Sequence, residues 1–384
     1  MNPETVSAAS SIAALAAEHA AEGERQRRLT APVVDALRDA GCFRLCVPEE
    51  IGGSEAHPGT LVQIVEELAR GDAAAGWCVA VQATSGLVGG WLPPDGAREV
   101  FGDPEAVWGG VFAPRGKAVL GDDGWTVSGR WPFASGCQHS TWLMGGAVTE
   151  RDGAVVTLPN GMPDIRLMLA PADSFAIHDT WRVAGLRGTG SHDIELTAAT
   201  IPERHAASVI ADTPSATGAL YAFPLFGLLA VAIAGVSLGC ARGALDDIVD
   251  LAGGKVPTGG RKRLADRTTV QADVARAEAA VRAARALLHS AIDEAWQHAE
   301  AQGEIPVEAR MALRLAASHA AAVCAEVTHS AYVLGGGTAL YETSPLQRRF
   351  RDANAVTQHM LVAPATWELS GRLLLGLPTD VTQL

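Results

Sequence analysis

Apolar residues recur at helical spacing near both ends of the chain. In the first part, this spacing covers 11–40 and 61–69, and a small-residue segment with helical character runs from 73 to 91. In the last part, four long runs are separated by Gly/Pro-rich breaks such as 303–306, and they cover 225–251, 266–301, 307–334 and 346–375. The pattern predicts helices on both sides of a middle segment, and a single long helix for the last run.

Alternation replaces the helical spacing between 107 and 202. Residues 117–131 place a strand on each side of Gly121-Asp122-Asp123-Gly124, which predicts a hairpin. Asp152-Gly153 predicts a second hairpin, and 194–196 alternates again. The order is therefore helices, a β-rich insert and a helical bundle, which is an α+β protein of more than one domain.

Composition excludes several function classes. The chain has 30 Lys and Arg against 43 Asp and Glu, a formal charge of −13, so binding of nucleic acid is not expected. Its six cysteines have no C-x-x-C spacing, and no His/Cys pattern predicts a metal site. The start lacks a signal-peptide pattern, and the most apolar stretch, 225–239, is short for a bilayer, which favours a cytoplasmic protein without a membrane segment.

Two further patterns lack the context their motifs need. Gly235-Val236-Ser237-Leu238-Gly239 has the spacing of a hydrolase nucleophile turn but lies inside an apolar helical run, where small residues pack helices together. No G-x-G-x-x-G follows a predicted strand, so a nicotinamide site is not expected.

Four segments have a recognisable pattern. They are Cys46-Val47-Pro48-Glu49 with Gly52-Gly53, then Gly124-Trp125-Thr126-Val127-Ser128-Gly129-Arg130-Trp131-Pro132-Phe133-Ala134-Ser135-Gly136-Cys137-Gln138-His139, then Gly185-Leu186-Arg187-Gly188-Thr189-Gly190-Ser191, and Arg351-Asp352-Ala353 with His359. With the α–β–α order, they make the chain resemble the acyl-CoA dehydrogenase superfamily. Within it, the chain is most similar to two-component flavin-dependent monooxygenases: p-hydroxyphenylacetate hydroxylase oxygenase components, secosteroid hydroxylases and dibenzothiophene monooxygenase.

This resemblance implies three domains: an N-terminal helical domain at 1–106, a β-barrel or sandwich at 107–205 and a C-terminal four-helix bundle at 206–384. It implies a homotetrameric hydroxylase that receives reduced FMN or FAD from a separate flavin reductase. Oxygen would reach a small aromatic or secondary-metabolite substrate through a flavin C4a-hydroperoxide, which needs an apolar pocket that excludes water.

The resemblance assigns two catalytic residues. Ser135 matches a serine that contacts the flavin near N5, and the alternative is a turn serine bonded to its own backbone. His359 matches a histidine beside the substrate, where an imidazole takes a proton near neutral pH. Its alternative is a histidine that only packs.

Position 360 separates two enzyme classes. Acyl-CoA dehydrogenases use a carboxylate there to remove the substrate α-proton, whereas this chain has Met360, which is no base. Glu342 and Glu368 are acidic but stand at no matching position. Dehydrogenation of an acyl thioester is the disfavoured alternative.

Other residues are assigned to the cofactor by the same resemblance. Arg187 and Ser191 would border the flavin, or their loop is an ordinary turn. Gly336, Gly337 and Thr338 would reach a neighbouring subunit's flavin, or simply connect two helices. The remaining candidates, Trp131 and Phe133, would wall the flavin or fill the β core.

The chain also departs from the monooxygenases at two substrate positions. Thr84 and Asn354 stand where several relatives have histidines, which implies a different substrate. The same losses leave a third possibility, a silent protein that binds flavin or an acyl carrier only as a scaffold.

Overall fold

The computed structural model describes residues 3–301 and 305–384, and the first part is helical. Its helices are α1 (Pro3–Gln26), α2 (Ala31–Asp39), α3 (Pro58–Gly71), α4 (Ala73–Ser85) and α5 (Pro94–Phe101). The predicted run 11–40 is divided between α1 and α2. Arg27 has a positive φ of 55°, and Pro32 fits only the first turn of a new helix.

The middle part forms one mixed sheet. Its strands are β1 (Trp108–Gly121), β2 (Gly124–Ala134), β3 (Trp142–Arg151), β4 (Ala154–Val155), β5 (Ile165–Pro171), β6 (Ala176–His178), β7 (His192–Ile201) and β8 (Ala206–Ala207). The strand order is β6-β7-β2-β1-β3-β5-β8, with β4 beside β3, and only β1 and β3 pair in parallel. Both predicted hairpins are confirmed by the pairs Gly121↔Gly124 and Arg151↔Ala154.

The core of this sheet is built around Trp131. Its indole is fully buried and donates from Nε1 to the carbonyl oxygen of Gly146 at 2.7 Å. Three glycines line the ring, and a Cβ at Gly145 would lie 2.4 Å from it. The fit leaves Trp131 no surface for a ligand and favours its role in the core.

The last part is a bundle with one more break than the sequence predicts. Its helices are α6 (Ala219–Ala222), α7 (Leu225–Gly254), α8 (Thr268–Glu300), α9 (Val307–Gly335), α10 (Pro345–Val356) and α11 (Ala365–Leu374). A single helix over 346–375 is wrong, because the chain turns between α10 and α11, and His359 lies in that turn. The expected break at 303–306 falls partly outside the described residues.

Helix α7 is longer than the apolar stretch 225–239 suggested. By length and hydropathy it could cross a membrane, which corrects the expectation that this segment is too short. However, 78% of its most apolar window is buried inside the protein, where it packs mainly on α3 and α9. Core helices pass the same test, and this burial assigns α7 to that class.

Candidate functional site

Ser135 lies in a sharp turn directly after β2. Phe133 has a φ of 69° and Gly136 a φ of 73°, a region that glycine adopts easily and phenylalanine rarely. A Cβ at Gly136 would lie 2.6 Å from Nε2 of Gln82, so the turn has no room for another residue. The turn directs Ser135 inward, where it is 6% exposed, and leaves the Phe133 ring 66% exposed.

A row of hydrogen bonds begins at Ser135. Its Oγ accepts from Nε1 of Trp77 at 2.9 Å and lies 2.7 Å from Oγ of Ser191. Ser191 is in turn 2.6 Å from Oγ1 of Thr189, which donates to the carbonyl oxygen of Leu186 at 2.8 Å. We call Ser135, Ser191 and Thr189 the hydroxyl chain. It joins the turn after β2 to the loop 185–191.

His359 meets this cluster through Trp77. The two rings lie edge to face, with centroids 5.5 Å apart and planes at 76°. Trp77 on α4 therefore contacts both residues that the sequence proposed as catalytic. Helix α4 is otherwise made mostly of small residues around it, which is the one sequence signal that could have singled Trp77 out.

The imidazole of His359 is neutral at physiological pH. Burial, with a smaller effect from the cation of Arg314, lowers its pKa to about 4. Arg314 is itself buried and donates to the carbonyl oxygen of Gln383 at 3.1 Å. A neutral imidazole is able to accept a proton or to hydrogen-bond a substrate.

The loop 185–191 is held in place by the second half of α10. The N–H of Leu186 donates to Oδ1 of Asp352 at 2.6 Å, and Arg351 donates to the carbonyl oxygen of Ala184. A Cβ at Gly185 would lie 2.2 Å from the carbonyl oxygen of Arg351. The Arg351-Asp352-Ala353 segment thus positions the loop that carries Ser191.

Asparagine at position 352 is expected to raise stability relative to the native protein at about pH 8 but not at about pH 4. Burial raises the pKa of the Asp352 carboxyl to about 7, and nearby Asp72 adds to the rise. Because this pKa exceeds the ordinary aspartate pKa of 3.8, folding favours the protonated form, and the native protein loses stability as pH rises through about 7. Asparagine stays neutral and keeps an oxygen for Leu186.

The difference in Tm between Asp352→Asn and the native protein, measured by calorimetry at both pH values, checks this prediction. Asp352→Ala is the control, because it removes the acceptor as well and should be less stable at both. A difference that does not grow with pH would contradict the ionisation of a buried carboxyl.

Arg187 and Phe133 each lie two residues before a member of the hydroxyl chain, Thr189 and Ser135 respectively. The Nε of Arg187 is buried and has no hydrogen-bond partner among the described residues. The exposed Phe133 ring meets Trp181 edge to face, with centroids 6.2 Å apart. An unpaired guanidinium nitrogen and a free aromatic face are what a flat ligand with anionic or carbonyl groups requires.

The other predicted site residues have partners elsewhere. The hydroxyl of the buried Thr84 donates to carbonyl oxygens of its own helix. The side-chain amide of the exposed Asn354 donates to the carbonyl oxygen of Phe350 at 2.7 Å. Gly336 and Gly337 are exposed, and Thr338 accepts from Lys255 at 2.7 Å. The structure therefore brings together Ser135, Ser191 and His359, but none of these other described residues hydrogen-bonds to the hydroxyl chain.

A separate cavity of about 270 Å³ lies beside α3 and α8. Its walls include Glu55, His57, Trp296 and Glu300, and none of the predicted site residues lines it. It is not part of the cluster around Ser135.

Comparison with known families agrees with this architecture. The model of the acyl-CoA dehydrogenase N-terminal domain matches residues 6–94, and that of the acyl-CoA dehydrogenase C-terminal domain matches 231–364. The first match includes α4 and Trp77, and the second includes α10 and His359. Fold class and superfamily are as the sequence predicted.

Full-length relatives narrow the family. An indole-3-acetate monooxygenase of Pseudomonas putida is 35% identical over 92% of this chain and 89% of its own. The chain belongs to the flavin-dependent monooxygenases of the acyl-CoA dehydrogenase superfamily. An FADH(2)-dependent resorcinol hydroxylase, oxygenase component, of Rhizobium sp. is 30% identical over 95% of this chain and 92% of its own. The crystal structure of a 3-HSA hydroxylase from Rhodococcus sp. superposes with a TM-score of 0.90 at 27% identity, covering 99% of both chains.

Membership in this monooxygenase family resolves the alternatives that the sequence left open. Met360, at the position of the dehydrogenase carboxylate, is 60% exposed, and Glu342 and Glu368 are exposed on the surface. In the described residues, the charge that acts on His359 is the Arg314 cation, not a carboxylate. The monooxygenase prediction is confirmed over both the dehydrogenase and the silent scaffold.

Proposed function

We propose that this monooxygenase is the oxygenase component of a two-component system and hydroxylates an aromatic substrate bound against the surface that Trp77 and His359 form together. A separate reductase supplies reduced FMN or FAD. One atom of O₂ enters the substrate and the other leaves as water. The observation that carries the proposal is that Trp77 contacts both Ser135 and His359, so one indole joins the predicted flavin side of the site to its substrate side.

The residues around Ser135 fit a flavin. Ser135 and Ser191 offer hydroxyl oxygens to a polar ring edge, Arg187 has a buried, unpaired Nε, and Phe133 presents an open aromatic face. When bound, the reduced flavin supplies two electrons and activates O₂. The protein's part is to bind this ring, to keep water from it and to hold the substrate beside it.

The opposite wall fits an aromatic substrate. The Trp77 ring and the neutral imidazole of His359 give an apolar surface with one polar group. We propose that His359 hydrogen-bonds the substrate and accepts its proton during oxygen transfer. Indole-3-acetate and resorcinol, which appear in the names of the two relatives, are the first compounds to test.

The experiment mixes the protein anaerobically with reduced FMN or FAD and then with ¹⁸O₂. We expect oxidised flavin to return more slowly than from free reduced flavin, and one ¹⁸O to enter an aromatic product. If the protein leaves the rate of flavin oxidation unchanged with both flavins, the proposal is wrong. Anaerobic bleaching of bound FAD by an acyl-CoA would instead indicate dehydrogenation.

We further propose a cytoplasmic homotetramer. Large apolar side chains are exposed just beyond the end of α9 and at the end of α11, and they include Leu340, Tyr341, Leu374 and Leu375. A neighbouring subunit would cover such residues. In that assembly the exposed Gly336, Gly337 and Thr338 would be free to reach a second flavin.

A further inference from the structure

The hydroxyl chain has two ends of opposite character. At one end stands Nε1 of Trp77, which only donates, and at the other the carbonyl oxygen of Leu186, which only accepts. The intervening oxygens of Ser135, Ser191 and Thr189 are 2.7 and 2.6 Å apart. Each hydroxyl has a single proton to donate.

These ends fix the direction of every hydrogen bond between them. Thr189 gives its proton to Leu186, so it accepts from Ser191. Because the Ser191 proton is donated to Thr189, the Ser191 hydroxyl oxygen accepts a hydrogen bond from Ser135. Ser135 accepts from Trp77 and donates to Ser191, which leaves it one lone pair and no proton for a ligand.

Thr189 is well placed to maintain this direction. Its side chain is 1% exposed, and its carbonyl oxygen accepts from the N–H of Gly136 at 2.9 Å, which ties it to the Ser135 turn. The Leu186 carbonyl also accepts from Nε1 of Trp181 at 3.0 Å. Loss of the Thr189 hydroxyl would therefore leave that carbonyl satisfied and affect mainly Ser191.

We propose that Thr189 is a positioning residue that makes Ser135 a hydrogen-bond acceptor, so that the site selects reduced over oxidised flavin. The N5–H group of reduced flavin could donate a hydrogen bond to the free lone pair of Ser135, whereas oxidised flavin has only a lone pair at N5 and could not. This inference rests on the proposed function, in which Ser135 faces N5. It extends that function by assigning the redox preference to a residue that does not touch the flavin.

Thr189→Val tests the proposal because it reverses the chain. Ser191, buried and without its acceptor, would donate to Ser135 instead, which already accepts from Trp77. Both lone pairs of Ser135 would be filled and its proton would point to the ligand. The ratio of Kd for oxidised flavin to Kd for reduced flavin is expected to fall about tenfold. This is the effect expected when one hydrogen bond to the reduced form is replaced by one to the oxidised form.

The two Kd values are measured by fluorescence titration with FMN and FAD, anaerobically for the reduced form. A tenfold fall in the ratio lowers the midpoint potential of the bound flavin by about 30 mV, which gives an independent readout. Thr189→Ser retains the hydroxyl and should keep the native ratio. Trp91→Phe, which removes an indole donor that bonds Asp212 elsewhere, controls for general loss of packing.

An unchanged ratio in folded Thr189→Val would overturn the proposal. Should that variant not fold, Ser191→Ala also removes the acceptor for the Ser135 proton and must lower the ratio. Ser135→Ala separates this result from a failure of the proposed function. If it leaves both Kd values unchanged, Ser135 does not face the flavin and the proposed function is wrong at that point; if it weakens reduced flavin while Thr189→Val has no effect, only the role of Thr189 is wrong.

Discussion

Replacing His359 by alanine is expected to leave flavin binding intact and to lower product formation at least about a hundredfold. The hydroxyl chain proposed to contact the flavin is built from other residues, whereas His359 meets the cluster only through the Trp77 ring. Because its pKa is lowered to about 4, the imidazole is a neutral acceptor at physiological pH. Alanine removes the acceptor and with it the proposed substrate contact. Product per reduced flavin, measured beside the Kd for flavin, checks this.

Two neighbouring variants sharpen that measurement. His359→Gln keeps hydrogen-bonding groups but no base, so it should recover substrate affinity while turnover stays at least about tenfold below native. Gln358→Ala is the matched control, because Gln358 is exposed and its amide bonds only the adjacent Thr357. Native turnover in His359→Ala would remove the residue from the reaction. Loss of flavin binding there would assign it to the flavin instead.

The periodicity of apolar residues located most of the fold, because helix and hairpin signals depend on near neighbours in sequence. The same property explains the error at the last helix. Val356, Leu361 and Val362 are all buried, so the apolar spacing continues across the turn between α10 and α11. Only Pro364 marks the break, and a proline is also tolerated at the start of a helix.

The parts of the candidate site that depend on one short segment could be predicted from the sequence. The parts that depend on contacts between distant segments could not. Ser135 was found from its own segment, and the turn around it is set by Phe133 and Gly136. Trp77 is 58 positions away from Ser135, and nothing in its own segment predicts the bond between them. A contact of this kind depends on how α4 packs against the sheet.

The assigned residues Thr84 and Asn354 illustrate the converse. Each was proposed because relatives have histidine there, yet each side chain bonds its own helix. Threonine and asparagine readily satisfy themselves in this way, whereas a longer histidine would extend outward. A resemblance to relatives identifies which position corresponds to a functional residue. The side chain present at that position then decides whether it can reach the substrate.

Alanine at position 185 is expected to lower flavin affinity at least about tenfold and to destabilise the fold by about 1–3 kcal/mol. The new Cβ would lie 2.2 Å from the carbonyl oxygen of Arg351 and 3.0 Å from Cβ of Ala355, so the loop 185–191 must move away from α10. That movement breaks the bond from Leu186 to Asp352 and shifts Ser191 from Ser135.

The atom that a Cβ at Gly185 would clash with belongs to the main chain of Arg351, so removal of the Arg351 side chain should not relieve the clash. Adding Arg351→Ala to Gly185→Ala should not restore flavin binding, since the clashing oxygen belongs to the backbone. Gly371→Ala is the matched control, because nothing lies within 4 Å of its Cβ and alanine favours the helix α11. The stability and the flavin affinity of the three variants, measured by calorimetry and by flavin titration, test this prediction. Native flavin affinity in Gly185→Ala would mean that the loop need not touch α10 for the hydroxyl chain to form, and that the Arg351-Asp352 segment has a different role.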